Sequence, residues 1–119
     1  MGRRTWESLP RRPLPGRQNL VLSSTPVDGA VRVASLQEGI TMAGTSRPNR
    51  LFVIGGQTVY EKAIRIADTL FVTQVDVEVA GADAFAPVID SRLFELASRS
   101  NVVPGEPALV FEVYKRRRY

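Results

Sequence analysis

The chain has 119 residues, of which 44% are apolar, with nine glycines, eight prolines, a net charge of +4 and a pI of about 10.1. This composition predicts one globular domain over residues 1–119 that can bury a core. Because the chain has neither cysteine nor histidine, disulfide and thiolate chemistry are excluded, no metal site is predicted, and a reducing cytoplasm is the expected location.

Neither a membrane span nor a secretory signal is predicted. No apolar run approaches the about 20 residues that a spanning helix needs. The opening residues, "MGRRTWESLP", lack the apolar region of a signal peptide.

The positive charge is concentrated at the two ends of the chain. The terminal "YKRRRY" (114–119) is typical of a solvated end, although a nucleic-acid arm stays possible. An early group of arginines could equally serve a polyanionic small molecule: Arg3, Arg4, Arg11, Arg12 and Arg17.

The first half of the chain alternates helical and strand patterns. A short helix is predicted over Arg3 to Leu9, ending before Pro10, and a proline-bounded turn follows at 12–18. Strands are predicted at 19–24 and 31–33. A helix at 35–43 begins with a capping box, Ser35 with Glu38 three residues later, and a loop follows at 44–50.

The second half opens with an uninterrupted apolar run. Leu51–Ile54 is predicted to be a strand buried on both faces, and residues 57–66 a helix with Val59, Ala63 and Ile66 on one side. Further strands are predicted at 69–79, 92–98 and 108–115. This order indicates an α/β fold with a mostly parallel mixed central sheet, flanking helices and antiparallel C-terminal strands.

Gly55 and Gly56 stand where a buried strand turns directly into a helix. Ligands of open α/β sheets bind beyond the carboxyl ends of strands, where helix N-termini present free N–H groups. Glycines there let the backbone approach a ligand, and Gln57 and Thr58 would lie in the first helical turn. A tight turn without a ligand is the alternative interpretation.

Two other stretches have the same character. "LSST" (22–25) places hydroxyls at a strand end, where they could equally form a turn. "MGRRTW" (1–6) places two arginines at a helix start, against the helix dipole, where a bound anion would offset the cost; two solvated arginines are the alternative. The three stretches would share one sheet edge and together suggest a ligand with more than one phosphate, such as a dinucleotide.

The motifs "MGRRTWESLP", "RPLPGRQNLVLSS", "VIGGQTVYEKA" and "VTQVDVEVAGADAFAP", in this order and spacing, resemble dihydrofolate reductase. The resemblance runs through to "VFEVYKRRRY" and so covers the whole chain. It implies NADPH-dependent reduction of 7,8-dihydrofolate to 5,6,7,8-tetrahydrofolate.

The resemblance also implies roles for the three stretches. Arg3, Arg4 and Thr5 would meet the NADPH phosphates, and Ser23 and Ser24 would lie near the adenosine ribose and its 2′-phosphate. The pyrophosphate would be held at the start of the helix predicted at 57–66, with the Gly55–Gly56 peptide cis. The residues that would hold it are Gly55, Gly56, Gln57, Thr58 and Val59.

The folate residues follow from the resemblance in the same way. Arg17 would pair with the α-carboxylate of the glutamate tail, and Ser8, Leu9 and Leu14 would flank the aminobenzoyl ring. Ile54 and Tyr60 would line the pterin and nicotinamide pocket, and Thr73 would hydrogen-bond the pterin-side carboxylate. Plain core packing is an additional role for the three aliphatic residues, Leu9, Leu14 and Ile54.

One departure from the family pattern limits what the chain is expected to do. Members of the family begin with a further stretch before "MGR", which holds the first central strand, a mobile loop and a helix with the acidic residue tied to protonation. No acidic residue of this sequence occupies that motif position, so no catalytic acid is assigned. We expect the 119-residue chain alone to show negligible activity and a complete one to be a monomer.

Two alternatives stay open. A reductase of riboflavin synthesis shares the sheet and NADPH, but would not be expected to keep "RPLPGR". A basic nucleic-acid-binding domain would need aromatic rings among positive charges on an exposed sheet. The aromatic residues fall mostly in apolar runs, which favours a place in the core and predicts no nucleic acid partner: Phe52, Phe71, Phe85 and Phe94.

Overall fold

The computed structural model describes residues 1–44, 50–82 and 84–118. Most of the predicted loop at 44–50, Asp83 and the terminal Tyr119 lie outside the described residues. The chain divides into two compact units, Met1–Arg65 and Ile66–Tyr119. The prediction that residues 1–119 form one domain stays a prediction.

The first unit combines three helices with a parallel strand pair. Its elements are α1 (Arg3–Ser8), β1 (Leu20–Leu22), β2 (Val31–Val33), α2 (Leu36–Ala43) and α3 (Gln57–Ala63). β1 and β2 pair in parallel, with Leu20 opposite Val31 and Leu22 opposite Val33. The buried apolar side chains of this unit come from the helices α1 and α3 and from both strands: Trp6, Val21, Val33, Val59 and Ala63.

The first two residues of the chain extend this sheet. The Leu22 N–H donates to the Met1 carbonyl at 2.8 Å, and Gly2 forms a parallel bridge with Leu22. On its other side the Gly2 N–H donates to the Gly55 carbonyl, also at 2.8 Å. The backbone at Met1–Gly2 is therefore hydrogen-bonded to β1 on one side and, on the other, to Gly55, which precedes α3.

The predicted capping box at the start of α2 is present. Ser35 Oγ accepts a hydrogen bond from the Glu38 N–H at 3.1 Å. Glu38 reaches back one residue further than the usual box, because its Oε2 accepts from the Ala34 N–H at 2.9 Å. α1 closes at Ser8, where the Leu9 N–H donates to the Trp6 carbonyl and Pro10 follows.

The second unit is an antiparallel sheet of three strands. β3 (Thr69–Val75), β4 (Phe94–Arg99) and β5 (Leu109–Arg116) are ordered β3-β5-β4, with a bulge in β4 between Leu96 and Ser98. The α/β class with flanking helices and antiparallel C-terminal strands is therefore confirmed. The strands of the described residues lie in two sheets rather than in one central sheet, since β3 finds its partner in β5.

The prediction that Leu51–Ile54 forms a buried strand is wrong. In the structure this segment joins no ladder with any strand of the described residues, and Leu51 and Phe52 are 42% and 63% exposed. A continuous apolar run is buried on both faces only where a layer covers each face. The described residues of this unit supply no such cover.

Two predicted elements also end earlier than the pattern suggested. α3 ends at Ala63; Val59 and Ala63 are buried, but Ile66, which was predicted to share their side of the helix, lies beyond its end and is 56% exposed. β3 ends at Val75 rather than at residue 79. Continuing its register would place Val77 opposite Pro107, which has no N–H to donate.

The aromatic residues are mostly not in the core, against the prediction. Phe94 is buried, whereas Phe52, Phe71 and Phe85 are exposed. Side chains alternate across a strand, and the pairing places Phe71 on the opposite face of the sheet from Phe94. Phe52 and Phe85 lie outside the strands.

No helix of the described residues is long and apolar enough to cross a membrane.

Candidate functional site

The three stretches predicted to bind an anion meet in the first unit. The bond between Gly2 and Gly55 joins the start of α1 to the start of α3. The bridge between Gly2 and Leu22 places the end of β1, followed by Ser23, beside them. These backbone contacts make the three segments neighbours in this unit, although Gly55 follows no strand.

The backbone at Gly55 excludes a side chain. Gly55 is buried, its φ is +127°, and its peptide bond to Gly56 is cis, as the resemblance implied. A Cβ placed on Gly55 would lie 3.1 Å from Thr5 Oγ1, closer than ordinary packing, whereas one on Gly56 would lie 3.6 Å from that atom. The start of α3 therefore packs directly against α1, and a ligand at this edge would meet backbone rather than side chains.

Both helix starts at this edge are capped by glycine. Gly2 and Gly56 are the N-cap residues of α1 and α3, and neither supplies a side-chain hydrogen bond to its helix. No acidic residue stands in the first turn of either helix. The positive ends of both helices are therefore left for an external anion or for solvent.

The end of β1 is an ordered hydroxyl-bearing turn. Ser23 Oγ accepts from the Thr25 N–H at 3.1 Å, and the Arg3 guanidinium donates to Thr25 Oγ1. Arg3 also forms an exposed ion pair with Glu7, at 2.9 Å. From β2, Arg32 Nε donates to the Ser23 carbonyl at 2.7 Å. Ser24 lies between the two residues that the arginines contact, and it is exposed.

The turn at 13–17 is held by Asn19, a residue that the sequence analysis did not single out. Asn19 is 6% exposed; its Oδ1 accepts from the Leu14 N–H at 2.9 Å, and its Nδ2 donates to the carbonyls of Leu14 and Arg17, each at 3.0 Å. Arg17 Nε donates to the Pro15 carbonyl at 2.8 Å, and the side chain is exposed. An asparagine three residues after the Pro15–Gly16 pair was the available signal, since its amide can bond to nearby backbone groups.

Comparison with known proteins decides the family. The sequence profile of dihydrofolate reductase matches residues 1–116. The chain belongs to the dihydrofolate reductase family.

Several curated relatives carry the name dihydrofolate reductase. The chain is 42% identical to that of Neisseria gonorrhoeae over 103 residues, which cover 84% of this chain and 62% of the relative. It is 46% identical to that of Mycobacterium tuberculosis (strain H37Rv) over 97 residues, or 76% of this chain and 56% of the relative. It is 38% identical to that of Bacillus subtilis (strain 168) over 101 residues, or 82% and 58%. The chain thus matches about three-fifths of the length of these relatives.

Family membership implies a nicotinamide cofactor in general terms, and the geometry can be compared with the residues predicted to bind it. Arg3, Arg4 and Thr5 lie on α1, next to the glycines that begin α3. Gln57 and Thr58 lie in the first turn of α3, and Val59 is buried beneath them. Ser23 and Ser24 follow β1. The structure therefore brings the predicted cofactor residues together in one unit.

The residues predicted to bind folate are distributed over both units. Ser8 Oγ donates to the Thr5 carbonyl at 2.7 Å, Leu9 and Leu14 are half-buried, and Ile54 is 38% exposed. Thr73 lies in β3, opposite Phe111, within the second unit. Its role stays a prediction from the resemblance.

Tyr60 lies one turn into α3, with its ring 3.7 Å from the position that a Cβ on Gly55 would take. Partial burial raises the pKa of the Tyr60 hydroxyl above its ordinary value. Tyr60 is therefore a neutral phenol at physiological pH. It can present an aromatic face and a hydrogen-bonding hydroxyl without adding charge near the glycines.

Proposed function

We propose that this chain carries the cofactor- and folate-binding residues of an NADPH-dependent dihydrofolate reductase, which forms 5,6,7,8-tetrahydrofolate for one-carbon metabolism. The observation that supports this most strongly is the convergence of the three anion-binding stretches around the bond between Gly2 and Gly55. Membership of the dihydrofolate reductase family supports the choice of reaction.

The pyrophosphate of NADPH binds at the glycines in this proposal. Because Gly55 excludes a Cβ, the phosphate oxygens reach the backbone N–H groups at the start of α3, including those of Gln57 and Thr58. Arg4 and Thr5 supply a guanidinium and a hydroxyl from α1. Val59, buried in the unit, fixes the helix under this contact.

The adenosine end binds along the turn after β1. Arg3 donates to Thr25 Oγ1, which lies 3.3 Å from Ser23 Oγ, and Ser24 stands between those two residues in the chain. A guanidinium beside hydroxyl groups suits a phosphate monoester, since charged hydrogen bonds to phosphate are stronger than neutral ones.

The glutamate tail of folate binds at the turn that Asn19 holds. Arg17 pairs there with the α-carboxylate as a bidentate fork, because its terminal nitrogens extend beyond the Nε bond to Pro15. Ser8, Leu9 and Leu14 flank the aminobenzoyl ring. Ile54 and Tyr60 line the pocket of the pterin and nicotinamide rings. For Thr73, a hydrogen bond to the pterin-side carboxylate stays a prediction from the resemblance.

The residues of this chain bind and orient; the nicotinamide, when bound, supplies the hydride. Tyr60 and Ile54 hold aromatic and apolar surface at the ring pocket, so they exclude water from that side. Arg17 holds the glutamate tail of the folate, and the backbone at Gly55 and Gly56 holds the pyrophosphate of NADPH. Together these contacts align the two reacting rings. No residue of this chain is proposed as the proton donor.

The remaining expectations are a monomer in the cytoplasm without a nucleic acid partner. The exposed rings of Phe71 and Phe111 share one face of the second sheet, which makes the nucleic-acid alternative worth testing. Lys115 lies on that face and donates to Thr69 Oγ1 at 3.2 Å, whereas Glu95, opposite it, forms an ion pair with Arg117.

The test is consumption of NADPH in the presence of dihydrofolate. We would assay the 119-residue chain and a longer chain extended before Met1 by the N-terminal stretch of the Neisseria gonorrhoeae relative. The longer chain should consume NADPH only when dihydrofolate is present, and the short chain should be negligibly active. A mixture lacking dihydrofolate, one with the riboflavin-pathway pyrimidine substrate, and a titration with a random oligonucleotide are the controls.

The results of this assay decide between the proposed reaction and the riboflavin alternative, and they show whether the added N-terminal stretch is needed. No consumption by the longer chain would contradict the proposed function. Turnover of the pyrimidine substrate would favour the riboflavin alternative. Steady activity of the short chain would show that the preceding stretch is unnecessary.

A further inference from the structure

Two guanidinium groups from different elements contact the turn at 23–25. Arg3, on α1, donates to Thr25 Oγ1. Arg32, on β2, donates through Nε to the Ser23 carbonyl at 2.7 Å. Because Val21 and Arg32 are paired residues of neighbouring parallel strands, Arg32 lies only two residues along the sheet from this turn.

The two arginines differ in how far their charge is already compensated. Arg3 Nε lies 2.9 Å from Glu7 Oε1 in an ion pair. Arg32 forms no ion pair within the described ranges 1–44, 50–82 and 84–118. Its bond to Ser23 uses one of the five N–H donors of a guanidinium. Arg32 is thus the less neutralised of the two cations at the turn.

A phosphate monoester at this turn would carry about 1.5 to 2 negative charges at neutral pH. Arg3, half of whose fork faces Glu7, supplies less than one uncompensated positive charge. A second guanidinium, that of Arg32 at the carbonyl of the neighbouring Ser23, would bring the local charge close to balance and add donors.

We infer that Arg32 contacts the 2′-phosphate of NADPH together with Arg3 and Ser24, and so sets the preference for NADPH over NADH. This inference rests on the proposed function, because it deepens the cofactor choice of the same site. NADH has a hydroxyl in place of that phosphate, so Arg32 should add little to its affinity.

The experiment measures dissociation constants of NADPH and NADH by fluorescence, in the 119-residue chain and in the extended chain described above. Arg32→Gln should weaken NADPH about tenfold or more and change NADH by no more than about twofold. Arg32→Lys, which keeps a point charge but no fork, should fall between. Arg65→Gln removes an exposed arginine that lies outside the proposed site and should change neither constant.

Two further measurements separate a contact from a structural effect. 2′,5′-ADP and 5′-AMP repeat the comparison without the nicotinamide half, and the loss should be confined to 2′,5′-ADP. Raising the salt concentration should weaken NADPH less in Arg32→Gln than in the parent, since one ionic contact is gone. Thermal unfolding checks that both Arg32 variants fold.

The outcomes distinguish this inference from the proposed function. Unchanged NADPH affinity in Arg32→Gln, or equal losses for NADPH and NADH, would overturn the role of Arg32 and leave the function standing. Failure of both parent chains to bind NADPH would overturn the function and the inference with it.

Discussion

The N–H of Gly2 donates to the carbonyl of Gly55 at 2.8 Å, and this bond aligns the starts of two short helices. Neither helix start carries a capping side chain, and Arg3 and Arg4 immediately follow Gly2. A sheet edge built in this way gathers backbone donors and guanidinium groups in one place. The binding of a dinucleotide diphosphate follows from that arrangement in our proposal.

Alanine at Gly55 should destabilise the protein, whereas alanine at Gly56 should not do so to the same degree. Gly55 has a φ of +127°, and a Cβ there would lie 3.1 Å from Thr5 Oγ1. Gly56 has a φ of −94°, and its Cβ would lie 3.6 Å from that oxygen. We expect Gly55→Ala to lower the free energy of unfolding by about 1–3 kcal/mol, measured with urea. Equal effects of the two substitutions would contradict this assignment of strain.

Asn19→Ala should loosen the turn at 13–17. The substitution removes an acceptor for the Leu14 N–H and donors to the Leu14 and Arg17 carbonyls. These backbone groups are only partly buried, and a hydrogen bond of this kind contributes about 0.5–1.5 kcal/mol, so the variant should unfold at a lower urea concentration. Arg11→Ala, at an exposed position two residues before the turn, is the control and should be close to neutral. A stability equal to that of the control would mean that the three bonds contribute little.

Arg17→Ala should affect folate binding through the glutamate tail alone. Its guanidinium lies on the turn held by Asn19, where only one donor is used by Pro15. In the extended chain we expect the variant to weaken dihydrofolate about tenfold or more and to leave an analogue without the glutamate unchanged. Arg17→Lys should recover only part of the affinity, because it lacks the fork. Equal losses for both ligands would show that the carboxylate assignment is wrong.

Tyr60 should make stability fall at alkaline pH. Burial raises the pKa of its hydroxyl in the folded state above the ordinary value of 10.0. The folded protein therefore keeps its full stability below pH 10, where the Tyr60 hydroxyl is protonated in both states. Its free energy of unfolding falls as the pH rises from 10 through the raised pKa of the folded state, because the ionised hydroxyl is favoured in the unfolded chain. Unfolding by urea at a series of pH values, compared between the parent and Tyr60→Phe, measures this. A parent curve that falls no more steeply than the variant's would contradict the raised pKa.

The sequence predicted local features better than distant ones. The capping box of Ser35 and Glu38 depends on residues three apart, and the structure contains the Ser35 bond. The glycines at 55–56 were predicted to let the backbone approach a ligand; in the structure Gly55 lies close to Thr5 Oγ1, and the ligand contact stays a prediction. Such signals are readable because a few neighbouring residues determine them.

Burial could not be read in the same way, because it depends on what the rest of the fold supplies. Leu51–Ile54 has the pattern of a covered strand, yet three of its four side chains are exposed where no described layer lies over them. Phe71 and Phe94 come from similar apolar runs, but their register places them on opposite faces of one sheet. Asn19 was missed because its role appears only once the turn folds back onto its amide.

The most direct test of the shared cofactor edge is a titration of the ¹⁵N-labelled protein with NADPH, followed residue by residue by NMR. The proposal predicts that amide signals of residues 2–5, 23–25 and 55–58 shift together with a single dissociation constant. Shifts that leave these three segments unchanged, or that affect them with unrelated constants, would contradict it.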